Sequence, residues 1–303
     1  MALRMVWALT TWVALCAAQE GGPLDLIIAG GRVMDGTGNP WVIADVGIRE
    51  GRIAAIGRLE GARARRVFDA KGQLVAPGFI DLHSHADDGL GSDDARRRAA
   101  PNLVTQGITT VVVNPDGFGP WPLSGQREKL ERAGVGPNVA LMAGHNTIRR
   151  RTLGENYRRE ASADEIARMK RLVREGMEAG AFGLSAGLEY VPGIWSTTEE
   201  LIALFEEIVP FGGVYIAHQR SESTEPRWYL ASRHPKGLPT LLDATRETIE
   251  IAEKTGARVV CTHLKAMGAH YWGTSGAAIR LIERARSRGL DVWADQYPYH
   301  STG

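Results

Sequence analysis

The stretch Pro77-Gly78-Phe79-Ile80-Asp81-Leu82-His83-Ser84-His85 decides the fold of this chain. The apolar run Gln73-Leu74-Val75-Ala76 leads into it and reads as a buried strand that must stop where two imidazoles stand one residue apart. Residues i and i+2 of a strand share a side, so His83 and His85 can both reach one ion. Neutral imidazole is a good zinc ligand, and two converging imidazoles make half of a tetrahedral shell. A bare His-x-His is by itself weak evidence, because solvent-facing histidines at a strand end look the same. The Pro-Gly ahead of this one and two later strand-end histidines favour the ligand reading.

Downstream of residue 76, short apolar runs alternate with helical stretches. Candidate strands are Thr109 to Val113, Asn138 to Ala143, Phe182 to Ser185, Gly213 to Ala217, Arg258 to Thr262 and Asp291 to Ala294. Helical patterns lie between them at Gly125 to Ala133, Ala163 to Ala179, Thr198 to Val209, Thr240 to Thr255 and Ser275 to Arg288. Capping-box spacing opens two of these helices, at Ser162…Glu165 and Thr197…Glu200, and glycine follows several ends. Such alternation predicts parallel βαβ units in an α/β fold. With the opening strand the count is seven, whereas a (β/α)8 TIM barrel needs eight strands and commonly about 250 residues. Residues 76–303 are therefore expected to be a barrel truncated before its eighth βα unit, a fragment with unpaired edges and no turnover of its own.

Upstream, residues 24–75 have a different texture. Leu26-Ile27-Ile28, Val42 to Ile48 and Arg52 to Gly57 are β-rich runs separated by glycine-bearing turns such as Asp35-Gly36-Thr37-Gly38 and Glu50-Gly51. No helical period occurs there, so a small all-β unit precedes the barrel. Residues 1–18 read as a signal peptide: Arg4, an apolar stretch from Met5 to Leu15, and small residues Cys16-Ala17-Ala18. The expected location is periplasmic or secreted, with no stable membrane insertion after cleavage, since the segment is short for a span. Cys261 then remains as the only cysteine, and no intrachain disulfide can form.

The chain has 303 residues and a formal net charge of +1. A balance so close to neutral gives no footprint for nucleic acid or an anionic membrane surface.

In a barrel of this kind, active sites gather at the carboxyl ends of the strands. There stand Asp116, in Asn114-Pro115-Asp116-Gly117, then His145, His218 and His263. His218 and His263 each follow a four-residue apolar run at a strand end, which points to ligands. Asp116 is a ligand or a turn residue, and His145 is a ligand or a partner of a neighbouring loop. Cys261 precedes His263 inside its strand, where packing suits it better than ligation.

The ordered set Gly78-Phe79-Ile80-Asp81-Leu82-His83-Ser84-His85, Gln106-Gly107-Ile108-Thr109-Thr110-Val111, Gly183 to Tyr190, His218-Gln219-Arg220-Ser221-Glu222 and Thr262-His263-Leu264-Lys265 closely resembles the D-aminoacylase (N-acyl-D-amino-acid deacylase) branch of the amidohydrolase superfamily, from residue 24 onward. The resemblance implies a metal-dependent barrel with a small β-sandwich portion built from the residues before it. It matches His83 and His85 to one metal pair and His218 and His263 to the ligands of a second, tighter zinc, for one or two Zn2+ in all. The family's bridging cysteine lies in an Asn-Cys-Gly turn, where this chain has Pro115-Asp116-Gly117. Its acid/base aspartate belongs to an eighth strand, beyond Gly303.

The implied reaction is hydrolysis of a linear amide in a small N-acyl amino acid by metal-activated water. Lys265, two residues past His263, is the first choice for the substrate carboxylate. The resemblance adds Tyr297 and Ser301 as substrate-binding positions, with Arg220 and Tyr190 as weaker candidates. A cyclic-amide hydrolase of the dihydroorotase and hydantoinase type shares barrel and metals. It usually carries a carboxylated lysine on the fourth strand, and Phe182-Gly183-Leu184-Ser185-Ala186 offers none.

Overall fold

A computed structural model of the chain describes residues 22–224, 239–299 and 301. The expected signal peptide of residues 1–18, with Cys16, lies outside the described residues. Among the described residues no helix is long and apolar enough to cross a membrane. The chain divides into two compact units between Pro77 and Gly78.

The first unit is one five-stranded sheet. Strand β1 (Leu24–Val33) pairs antiparallel with β2 (Val42–Arg49), and β2 pairs with β3 (Arg52–Gly57) across the Glu50-Gly51 turn. On its other edge β1 runs parallel to β4 (Ala64–Asp69) and to the two-residue β5 (Leu74–Val75). Val33, Ala44 and Val46 pack together on it, with Ile28, Ile48 and Val75 against them. The run from Gln73 to Ala76, expected to feed the first barrel strand, thus belongs to this sheet instead. Arg32↔Leu74 and Val33↔Val75 are its registers.

The second unit is a seven-stranded, all-parallel sheet whose spatial order follows the sequence. Its strands are β6 (Phe79–Asp81), β7 (Ile108–Val113), β8 (Asn138–Gly144), β9 (Gly183–Gly187), β10 (Val214–His218), β11 (Arg258–Cys261) and β12 (Val292–Ala294). Three four-residue helices, α1 (Asp87–Leu90), α2 (Ala95–Arg98) and α3 (Pro101–Val104), link β6 to β7. Longer ones follow: α4 (Leu123–Ala133), α5 (His145–Leu153), α6 (Ala163–Glu178), α7 (Thr198–Phe205), α8 (Leu241–Thr255) and α9 (Ser275–Ser287). Among the described residues β6 and β12 each have one strand neighbour, so the sheet is an open, half-barrel arrangement. Phe79 and Ile80 are consequently 61% exposed, contrary to the expectation of a buried first strand.

Successive strand residues face opposite sides of a sheet, and both sides here are apolar. Val111, Val113, Leu141, Ala143, Leu184, Ala186, Tyr215, Ala217 and Val259 join one core with Met169, Val173, Leu204, Phe205 and Ile282 from the helices. The alternate residues Val112, Ala140, Met142, Ile216 and Val260 form a second cluster. Burying each large side chain of this kind contributes about 1.5–3 kcal/mol.

Helix termini follow their local chemistry. Ser162 and Glu165 close a full capping box on α6, and Gly256, at φ +70°, accepts the left-handed conformation that ends α8. At α7 the box is only half made. Thr197 accepts from Glu200 N, but the Glu200 carboxylate turns inward to His145 and Arg149.

Candidate metal centre

Strand β6 ends at Asp81, so His83 and His85 follow the strand rather than extend it. They still converge, because the bend turns both rings onto one carboxylate. His83 Nε2 lies 3.5 Å from Asp116 Oδ1, and His85 Nε2 lies 3.4 Å from Asp116 Oδ2. Asp116 itself hangs from a turn that few side chains tolerate. Asn114 and Asp116 have φ of +64° and +57°, conformations for which Asn and Asp carry the smallest penalty. The turn sits tight against β9, where a Cβ on Gly187 would stand 2.2 Å from the Asp116 carbonyl oxygen.

His218 closes β10 on the face of Ile216, by the period of two. β11 stops at Cys261, and strand parity would present Thr262 beside Val260, leaving His263 on the opposite face. A φ of +37° at His263 breaks that parity and brings its ring in as well. Such outliers mark places where surrounding structure imposes a conformation, often for function. Among the described residues five non-glycine positions have positive φ, and Asp116 and His263 are two of them.

The three buried imidazoles point one nitrogen each at Asp116. His218 Nδ1 and His263 Nε2 stand 3.1 Å apart, and each is 3.8 Å from Asp116 Oδ1. His83 and His263 have ring centroids 4.7 Å apart, as do His218 and His263. Four donor atoms around a tetrahedral zinc at about 2.1 Å are separated by about 3.4 Å. The observed spacings bracket that edge length. Asp116 Oδ1 is buried and accepts no hydrogen bond, although three imidazole nitrogens surround it. An orphaned buried carboxylate oxygen is costly unless a charge meets it. The donor set of three nitrogens and one oxygen therefore fits a divalent metal ion, with Asp116 common to His83/His85 on one side and His218/His263 on the other.

The far nitrogens are held too. His83 Nδ1 donates to Thr262 Oγ1 at 3.0 Å, and that hydroxyl donates to Asp295 at 2.8 Å. His263 Nδ1 is 2.9 Å from Glu222 Oε1 and 2.8 Å from Lys265 Nζ, which also contacts Glu222. His218 Nε2 is 3.1 Å from Glu189 Oε2. Metal-ligating histidines ordinarily use their second nitrogen in this way.

The charges follow from burial and neighbours. Burial, with the adjacent imidazoles, pushes His83 down to about 3, so its ring is neutral. Burial works against the charged form of His263 too, but contacts with Asp116 and Glu222 prevail and raise it to about 9. Burial raises Asp116, yet His263, His85, His83 and His218 more than offset this and hold it well below the carboxylate range. The same balance, set by His263, His218 and Lys265, holds Glu222 at about 2. Asp295 is raised by burial.

The other sequence candidates sort by location. The Tyr190 ring lies tilted over His218, 4.3 Å between centroids, while Tyr297 lies 6.4 Å from His263, with Lys265 Nζ 5.6 Å from its own ring. Lys265 is at the site but is engaged by Glu222 and His263. Arg220 is committed to Glu247, 2.8 Å away. Ser301 is exposed. His145 is buried against Glu200 at 2.9 Å, in a network separate from the Asp116 cluster. Cys261 is free and buried, its thiol pushed up to about 12. Glu189, Glu222, Thr262 and Asp295 join the site without a chemical motif of their own that marks them in the sequence, although all four lie just past strand ends. A cavity of about 310 Å3, lined by His85, Asp87, Pro115, Asp116, Phe118 and Tyr190, opens beside the cluster.

Residues 66–209 match the amidohydrolase family. Over 303 aligned residues the chain is 36% identical to the D-aminoacylase of Alcaligenes xylosoxydans xylosoxydans, covering 92% of this chain and 58% of that protein. It superposes on a D-aminoacylase with a binuclear metal centre at a TM-score of 0.79 and 36% identity, covering 91% of this chain and 59% of the other. The N-acyl-D-glutamate deacylase of Bordetella bronchiseptica, complexed with zinc and a phosphonate mimic of the tetrahedral intermediate, matches at 0.80 and 33% identity, over 92% of this chain and 59% of its own. The chain thus spans less than two thirds of the length of these relatives.

Proposed function

The chain belongs to the amidohydrolase family, in the branch that holds the D-aminoacylases, and from that premise we propose that it carries the metal centre of a zinc-dependent hydrolase that deacylates N-acyl-D-amino acids. The observation that supports this most directly is the orphaned Oδ1 of Asp116 amid His83, His218 and His263. A zinc ion held there supplies a Lewis acid for the amide carbonyl and activates water near neutral pH.

The protein's own groups do the rest. Asp116, ionised and buried, offers one oxygen to each histidine pair and suits either one ion or two. Glu222 and Thr262 hold the far nitrogens of His263 and His83, which leaves the other nitrogen of each ring turned to the site. Lys265 and Tyr297 stand at the same end of the sheet and are the proposed contacts for the substrate's free carboxylate. His85, exposed at the mouth, completes the pair with His83 where substrate enters.

On the same grounds the seven-stranded sheet is proposed to be most of a (β/α)8 barrel and the five-stranded sheet part of a β-sandwich. Export is a proposal resting on residues 1–18 alone.

The test is metal content of this chain by plasma mass spectrometry, together with hydrolysis of N-acetyl-D-amino acids, their L-enantiomers and hydantoin by the chain continued through an eighth βα unit. Zinc at one or two equivalents with D-selective release of acetate is the expected result. Zinc-independent release, or turnover of hydantoin alone, overturns the proposal.

A further inference from the structure

We infer that Glu189 is a positioning residue that sets which nitrogen of His218 faces the metal. This rests on the metal-centre reading above. Glu189 lies two residues past β9 and is buried. Its Oε2 stands 3.1 Å from His218 Nε2, on the side of the ring away from Asp116 and His263. A carboxylate set against one ring nitrogen is the ordinary way a metal-binding imidazole is oriented, with its N–H on the carboxylate side. Nδ1 is then left with its lone pair toward Asp116 Oδ1 and His263 Nε2, 3.8 and 3.1 Å away. His83 and His263 present Nε2 to the site and tether Nδ1. His218 is turned the other way round, and Glu189 is the group on its tethered side.

The segment carrying Glu189 is held from behind. Leu188 N donates to the His218 carbonyl at 3.0 Å, tying the segment to the ligand it serves. Asn146 Nδ2 donates to Gly187 O at 3.0 Å, and Arg149 Nε to Pro192 O at 3.2 Å. Arg149 is itself clamped by Glu200 at 2.6 Å. Both ends of the stretch 187–192 are thus anchored to α5. Glu189, His218 and Glu222 could also be grouped as a cation site of their own, and the test separates that role from positioning.

The experiment uses the full chain labelled with 15N-histidine, as wild type, Glu189→Ala and Glu189→Gln. Ring nitrogen shifts report the His218 tautomer, and competition with a chelating dye reports zinc affinity and stoichiometry. Wild-type protein is expected to carry the His218 proton on Nε2; a proton on Nδ1 overturns the inference without any variant. Glu189→Ala is expected to lose the fixed tautomer and weaken zinc about 10–100-fold at unchanged stoichiometry. Glu189→Gln keeps an acceptor oxygen and is expected to recover part of that loss. Unchanged affinity and tautomer in Glu189→Ala, or loss of a whole zinc equivalent, overturns the positioning role. A wild-type chain that binds no zinc rejects the metal reading, and the tautomer measurement then still decides for or against Glu189.

Discussion

His218 and His263 stand edge to face, with Nδ1 of the first 3.1 Å from Nε2 of the second. If both nitrogens are lone pairs, they repel; one proton or one cation between them removes the conflict. Asp116 Oδ1, 3.8 Å from each and without a hydrogen bond, supplies the negative charge that a cation wants. Asp116→Ala is therefore expected to weaken zinc binding by more than the roughly 10–100-fold typical of an outer-shell loss. Asp116→Cys should retain tight binding, since thiolate is also a zinc ligand. Dye competition measures both, and unchanged affinity in Asp116→Ala removes Asp116 from the site.

The pH dependence has a definite sign. His263 is raised from 6.5 to about 9, so in the metal-free chain its charge contributes stability that is complete below 6.5 and lost as pH rises through about 9. Glu222 is lowered from 4.5 to about 2, and its contribution is complete above 4.5 and lost as pH falls through about 2. His83, lowered from 6.5 to about 3, works the other way below 6.5, where the unfolded chain takes up a proton that the folded chain refuses, so the metal-free chain should melt highest near pH 6.5 and lose stability on either side. Zinc needs the neutral ring and displaces the His263 proton. Its apparent Kd should accordingly fall close to tenfold per pH unit from 7 to about 9 and then level. Affinity that is flat over that window contradicts the assignment.

What the sequence disclosed and what it hid have physical causes. Strands such as Ile108–Val113 and Val214–His218 announce themselves because both faces are apolar, and the sheet buries both. The clustering of His83, His218 and His263 was legible because a strand end is where a polar residue can replace an apolar one without disturbing the core. Helix α5 was not legible. His145 and Arg149 occupy buried positions on it, so its polar-looking sequence carries no apolar stripe. The inward turn of His263 was hidden as well, since a single positive φ reverses strand parity and leaves no trace in composition. Glu189 was hidden for the same reason, its role depending on how the segment after β9 is folded back.

The buried pair Arg149 and Glu200 gives a stability prediction. Arg149 is fully buried, and its guanidinium meets Glu200, Pro192 O and Trp195 O. Removing one partner of such a pair strands the other charge and costs about 3–5 kcal/mol. Arg149→Met, which conserves volume, should lower Tm by about 6–20 °C at 2–4 °C per kcal/mol. Glu200→Gln should cost less, because an amide oxygen can still accept from the guanidinium. Calorimetry decides, and a shift under about 2 °C for Arg149→Met shows the network is not needed for the fold.

The cavity beside the cluster yields the last expectation, on substrate charge. Its described lining combines Phe118, Tyr190 and Pro115 with the acids Asp87 and Asp116 and with His85, which pairs with Asp116, and contains no lysine or arginine. A carboxylate on the substrate side chain, about 4 Å from Asp87, meets repulsion of about 1–4 kcal/mol at effective dielectrics of about 80 to 20. Each 1.4 kcal/mol is about a factor of ten. N-acetyl-D-leucine or N-acetyl-D-methionine should therefore be cleaved with kcat/KM at least about fivefold above N-acetyl-D-glutamate. Asp87→Asn removes one repulsive charge without touching a proposed ligand and should narrow the gap severalfold, more at low ionic strength than at high. If D-glutamate is the better substrate in the wild type, a cation from elsewhere in the protein faces this cavity and the apolar reading of Phe118 and Tyr190 is wrong.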